Sequence, residues 1–229
     1  MSAERKRGRR FKKEVIELLG SQDLDQALDA LCHLPARQVI NPLLSLLPSP
    51  DPVKWTAVTA MGAVVARLAD REMESARVVM RRLMWQLNEE SGGIGWGCPE
   101  AMGEVMACHE GLAEEYAHML ISYVRQDGAF LEYEPLQRGV VWGLGRLGQE
   151  RPHLLGDAPP HLATFMEAED ATLRGLATWA IGMIGGHEAR SRITSLLRDD
   201  AEMEMYLDRK LRVCRVRDLA EKALRERGL

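Results

Sequence analysis

Aromatic residues are scarce, 5% of the chain, and five of the twelve are Trp, beside twelve Met. Strands use aromatic and β-branched side chains to fill a pleated face, so this composition disfavours an all-β fold and suits many close helix contacts. Cysteine is sparse as well: Cys32, Cys98, Cys108 and Cys214 are irregularly spaced with no Cys-x-x-Cys pair, which offers neither a disulfide framework nor zinc-ligand spacing. The N-terminus is charged where a secretory signal would be apolar, and the reading is reduced thiols and a cytoplasmic location. Long apolar runs are missing too. The uncharged apolar runs Trp55–Ala66 and Gly175–Gly186 are twelve residues each, short of the roughly 20 that cross a bilayer, so no membrane span is expected.

What is present is enough for a folded core: 229 residues, 46% hydrophobic. The net charge of −4 conceals an uneven distribution. Residues 1–13 carry seven Lys or Arg against one Glu, and residues 209–227 carry eight against three acidic residues. The stretch between them holds 15 basic and 30 acidic residues, an acidic body with basic ends.

Internal repetition organises the chain. Val53–Gly62, Ile94–Gly103, Leu136–Gly145 and Leu173–Gly182 share an initial aliphatic residue, a small residue two before the end, and a closing aliphatic-Gly pair; the glycines are 41, 42 and 37 residues apart. Val216–Arg225 continues the series with Ala220 and Ala223 in place. The stretches between, such as Glu72–Leu87, Ala113–Arg125 and Glu188–Leu197, have apolar residues at helical spacing. Pro and Asp at Ser49–Pro52, Glu134-Pro135, Asp157–Pro160 and Asp170 mark helix starts. Each repeat is therefore two helices, and a pair that cannot cover its own apolar face gains stability by stacking on the next. The expected fold is an all-α superhelix of the HEAT/armadillo solenoid type. A basic capping helix is expected in residues 1–20, followed by about five helical pairs over residues 21–229.

These segments resemble HEAT repeats, and in particular the HEAT-like repeats of phycobilisome (PBS) lyases. The matching residues are Asp51-Pro52-Val53-Lys54 with Ala57, Ala60, Met61 and Gly62, and Asp170 with Leu173-Arg174, Ala177, Ala180, Ile181 and Gly182. Gly95 and Gln137 depart from the pattern, standing where it prefers Arg. The chain is also similar to a bacterial family of HEAT-like proteins containing RRLMWQLNEESGGIGWGCPEAMGE, here Arg81–Glu104. These resemblances imply the fold, and leave a small-molecule or bilin-handling role of lyase type as one alternative function.

Enzymatic signatures are lacking. There is no Gly-x-Ser-x-Gly elbow, and Ser91–Gly95 is Gly-rich without the Lys or preceding strand of a phosphate loop. Glu115–His118 and Glu150–His153 are Glu-x-x-His matches that, with Glu100 and Glu104, reach a di-iron ligand count. Pro152 at a helix start separates the second pair, and helices stacked in a row do not aim at one centre. No metal, cofactor or catalytic residue is assigned.

Trp85–Glu104 is the segment that periodicity alone does not explain. On one reading it is a binding groove, with Asn88 and Glu89 ending a helix, flexible glycines, and Glu100 and Glu104 as paired carboxylates on one helical face. On the other, Gly92, Gly93 and Gly95 make a tight turn and Trp96 fills the stack. Trp55 and Trp96 lie seven before their repeat Gly, and Trp142 and Trp179 three before theirs, which points to core filling. Glu100, Glu104, Arg138 and Arg146 are candidates for one charged cluster. The favoured function is a non-enzymatic scaffold that binds a protein in an acidic groove through Arg82, Trp85, Asn88, Glu89, Glu100, Glu104, Arg138, Trp142 and Arg146. The implied partner segment is basic, and the basic ends could meet the acidic body of a second copy. Nucleic acid is disfavoured, because phosphates need a continuous positive track that the acidic body lacks.

Overall fold

The computed structural model describes residues 3–21, 23–87 and 94–226; within these, nothing is stated of the side chains of 3–7, 9 and 226. Contacts divide the chain into two compact units, Met1–Ala101 and Met102–Leu229. In the first unit α1 (Ala3–Leu19) packs on α2 (Leu24–His33) and α3 (Ala36–Leu44), and both of these pack on the long α4 (Val53–Leu87). Asp23 caps α2, its carboxylate accepting the Gln26 N–H at 3.0 Å, so an otherwise orphaned donor of the first turn is satisfied. The helix α4 bends at Glu72, whose φ of −144° and ψ of 71° are not helical. It is thus two helices end to end: one carries the first repeat glycine, Gly62, and the other is the Glu72–Leu87 stretch expected from periodicity. Ala57, Ala60, Met61 and Val64 are all buried along the first of these.

The division between the units falls within α5 (Cys98–Cys108). In the second unit α6 (Glu110–Ser122) and α7 (Glu134–Glu150) form one pair, α8 (Pro159–Phe165) and α9 (Ala171–Ile184) the next, and α10 (Arg190–Ser195) packs with α11 (Val216–Glu226). Asp170 caps α9 by accepting the Leu173 N–H at 2.7 Å, which is the role its place in the repeat pattern implies.

Three of the repeat glycines, Gly103, Gly145 and Gly182, sit where successive helices touch. A Cβ at Gly103 would collide with the backbone of Gly143 on α7, and one at Gly145 with the Trp179 ring on α9. A Cβ at Gly182 would come within 2.9 Å of the Ala223 Cβ on α11. The period in the sequence is therefore a record of helix-on-helix contacts, each too close for a larger side chain.

One element departs from the helical expectation. Before α11 the chain forms an antiparallel hairpin, β1 (Glu202–Leu207) paired with β2 (Lys210–Arg215). Met203 and Met205 alternate with exposed Glu202 and Glu204, a period of two that buries one face. Met203 fills the space left by Gly175 on α9, and Trp142 Nε1 donates to the Tyr206 carbonyl at 2.8 Å.

Candidate functional site

The carboxylates expected to line an open groove are buried in ion pairs. Glu104 meets Arg146 Nε at 2.8 Å, with only 10% and 21% of the two side chains exposed. Burial pulls the Arg146 pKa down, but Glu104 and Glu150 outweigh it and hold the guanidinium above its usual value. Glu100 lies 3.7 Å from Lys54, whose ammonium also sits 3.6 Å from Asp51 and 4.3 Å from the centre of the Trp55 ring. Desolvation raises the Glu100 pKa, only partly countered by Lys54. Arg138 is engaged elsewhere, with Glu134 and, at 3.0 Å, with Asp170. In place of one charged cluster, Glu104–Arg146, Glu100–Lys54 and Arg138–Asp170 are separate clamps. The physical reason is that an ion pair lodged between packed helices satisfies both charges, whereas an open carboxylate pair would repel.

Trp142 is 3% exposed and holds the hairpin, so its ring is core. Trp55 and Trp179 are likewise buried, as their register implies, but Trp96 is 37% exposed and does not fill the stack. The difference from Trp55 is local: Trp55 stands in the first turn of α4, whereas Trp96 stands in the turn before α5. That turn is tight. Gly97 adopts φ of 72°, and a Cβ there would lie 2.9 Å from Leu47 Cβ. Gly95 packs against the Gln86 carbonyl. The described half of the Gly-rich segment is thus a close inter-helix turn; Asn88, Glu89, Gly92 and Gly93 lie outside the described residues. Burial pushes the Cys98 thiol at the start of α5 up to about 12, with the Glu100 charge adding to the effect, which disfavours the thiolate.

Arg82 and Trp85 are exposed. After the bend, Ser75, Val78, Arg82 and Trp85 follow one another at intervals of three and four along α4 and share a face. Val78 is 52% and Trp85 64% exposed, large apolar surfaces for a solvated helix. A cleft of about 400 Å³ opens beside them, lined by Arg37, Asn41, Leu68, Ser75, Val78 and Arg82 among others. A second, of about 430 Å³, lies between the α2–α3 corner and the first half of α4; Cys32, Arg37, Arg67, Arg71 and Glu72 contribute to it. Arg37 and Leu68 belong to both.

Sequence reading missed Arg37, Asn41, Arg67, Arg71 and Val78. A trace of them was present, since Arg67, Arg71, Ser75, Val78, Arg82 and Trp85 recur every three or four residues, but Arg37 and Asn41 reach the surface from another helix. Among the described residues no group of three or more His, Cys, Asp or Glu could hold a metal, and no helix is long and apolar enough to cross a membrane.

No family profile and no curated protein sequence matches the chain. Solved structures do. An engineered protein from the Northeast Structural Genomics Consortium aligns with a TM-score of 0.53 at 15% identity, over 94% of this chain and 97% of that one. A designed armadillo repeat protein aligns with a TM-score of 0.50 at 17% identity, over 92% and 97%. Another, solved in complex with the peptide (KR)4, aligns with a TM-score of 0.50 at 16% identity, again over 92% and 97%. At such identities the likeness speaks for architecture alone: the chain has the all-α repeat-solenoid fold of the armadillo/HEAT class.

Proposed function

We propose that this chain is a non-enzymatic scaffold that binds a partner protein along the second half of α4. The observation that carries the reading is the solvent-exposed run of Val78, Arg82 and Trp85 beside the two clefts of the first unit. Trp and Arg are the side chains that most often anchor protein interfaces, and an exposed Trp flanked by a guanidinium on a rigid helix loses little entropy on docking. The peptide complex of a designed protein with this fold supports the reading. Residence in the cytoplasm is part of the proposal, supported by four cysteines that are free thiols. Kinship with PBS lyase HEAT-like repeats is a further part, resting on the resemblance of the Asp51–Gly62 and Asp170–Gly182 residues to that repeat pattern.

Site-specific photocrosslinking tests it. A photoreactive phenylalanine analogue at position 85 is expected to capture a distinct protein in cells, and the purified pair is expected to bind saturably with at least about tenfold loss in Trp85→Ala. Capture of the same set of proteins from position 114, on α6, or no effect of Trp85→Ala on affinity, overturns the proposal.

A further inference from the structure

We infer that the two adjoining clefts of the first unit receive an acidic segment of a partner protein, with its carboxylates on the arginines and an apolar side chain against α4. The inference rests on the scaffold reading and adds the partner's chemistry, which is opposite in sign to the one the acidic body of the sequence leads one to expect.

Charge complementarity commits the occupant. The walls of the clefts carry Arg37, Arg67, Arg71 and Arg82 against a single carboxylate, Glu72. Glu72 is engaged by Arg37 at 2.8 Å. Arg82 spends its hydrogen bond on the neutral amide of Asn41, and Arg67 interacts with the Cys32 thiol, so neither contact cancels the charge. Arg71 is exposed at the rim. Guanidinium groups are planar, permanently charged forks that match carboxylates in bidentate geometry. Both volumes fall within the roughly 300–1,000 Å³ of binding pockets. Leu34, Leu68 and Ile40 add apolar lining between the charges, and Val78 and Trp85 extend it along the helix. An apolar lining interrupted by Glu72 suits a peptide with mixed acidic and apolar side chains, whereas a phosphate backbone calls for an unbroken positive track.

The test uses the full chain and fluorescence anisotropy of a labelled peptide of four Glu-Glu-Leu triplets, with four Lys-Lys-Leu triplets as its counterpart. The acidic peptide is expected to bind saturably, to weaken as salt rises, and to lose at least about tenfold in affinity to Arg67→Glu/Arg71→Glu. Arg225→Glu, on α11, is expected to leave binding unchanged. Because Cys32 lines the cleft, bound peptide is also expected to slow its alkylation while that of Cys214 proceeds. Arg82→Glu, a single exposed change, gives a second variant should the double one fold poorly, with circular dichroism as the check. Absence of saturable binding, equal affinity in the arginine variants, or displacement by a single-stranded oligonucleotide that binds more tightly through the same arginines overturns the inference. A chain that ignores the acidic peptide but still holds its crosslinked partner through Trp85 refutes the acidic partner and leaves the scaffold standing; loss of the Trp85 crosslink removes the scaffold itself.

Discussion

Arg146 on α7 reaches Glu104 on α5 across 2.8 Å, and the same guanidinium holds Glu150 one turn further along α7. The pair ties two successive repeat-glycine helices at a point where Gly103 and Gly143 already bring their backbones together. Removing one partner leaves the other charge largely buried. Arg146→Ala is therefore expected to lower the unfolding free energy by about 2–3 kcal/mol, and Arg146→Met/Glu104→Met to recover most of it, as read by urea denaturation.

Glu100 sets a pH dependence. Burial raises its pKa above the usual 4.5, so the folded chain holds a proton that the unfolded chain releases. The stabilising contribution is complete below 4.5 and is lost as pH rises through the folded value. Glu100→Gln is expected to remove this decline, so that the stability difference between variant and wild type changes in favour of the variant from pH 4.5 towards neutrality. A difference that does not vary with pH would contradict the assignment; denaturant titrations across that range decide it.

The repeat glycines and a solvent-facing glycine should respond in opposite directions to the same substitution. Alanine favours a helix over glycine by about 1 kcal/mol, and Gly8 on α1 has nothing within 4 Å of its missing Cβ. Gly8→Ala is expected to be neutral or mildly stabilising. Gly103→Ala meets the backbone of Gly143, which cannot give as a flexible side chain would, and is expected to cost about 2 kcal/mol despite the better propensity. Thermal unfolding of the two variants gives the comparison.

The hairpin turn stores strain. Asp208 and Arg209 adopt φ of 49° and 60° between β1 and β2, the left-handed conformation that a two-residue turn requires and that glycine adopts without a side-chain clash. Arg209→Gly is expected to stabilise by about 1 kcal/mol. Trp142→Phe, which removes the donor to the Tyr206 carbonyl, is expected to destabilise by about 1–2 kcal/mol and to speed proteolysis within 202–215.

How much of this was legible in the sequence follows from what each feature depends on. The helices and their stacking were readable because Gly103, Gly145 and Gly182 answer to a local, repeated constraint, and because Asp170 and Pro135 mark helix starts in the chain's own order. The hairpin was missed although Glu202-Met203-Glu204-Met205 alternates, since the repeat period, extended through Val216–Arg225, placed that stretch inside the last helical pair. Glu100 and Glu104 were placed on a shared open face because spacing along one helix says nothing of Lys54 and Arg146, which arrive from other helices. The arginine-lined clefts need Arg37 from α3 beside Arg71 and Arg82 from α4, a meeting that only the folded chain makes.

The most direct measurement sets the open surface against the buried carboxylates: the affinity of the partner crosslinked at position 85 for Arg71→Glu/Arg82→Glu and for Glu104→Gln, each at equal folded fraction. The expected result is a loss of at least about tenfold in the arginine variant and none in Glu104→Gln. Unchanged affinity in the arginine variant together with a loss in Glu104→Gln would contradict the central claim, and would return the binding surface to the acidic groove.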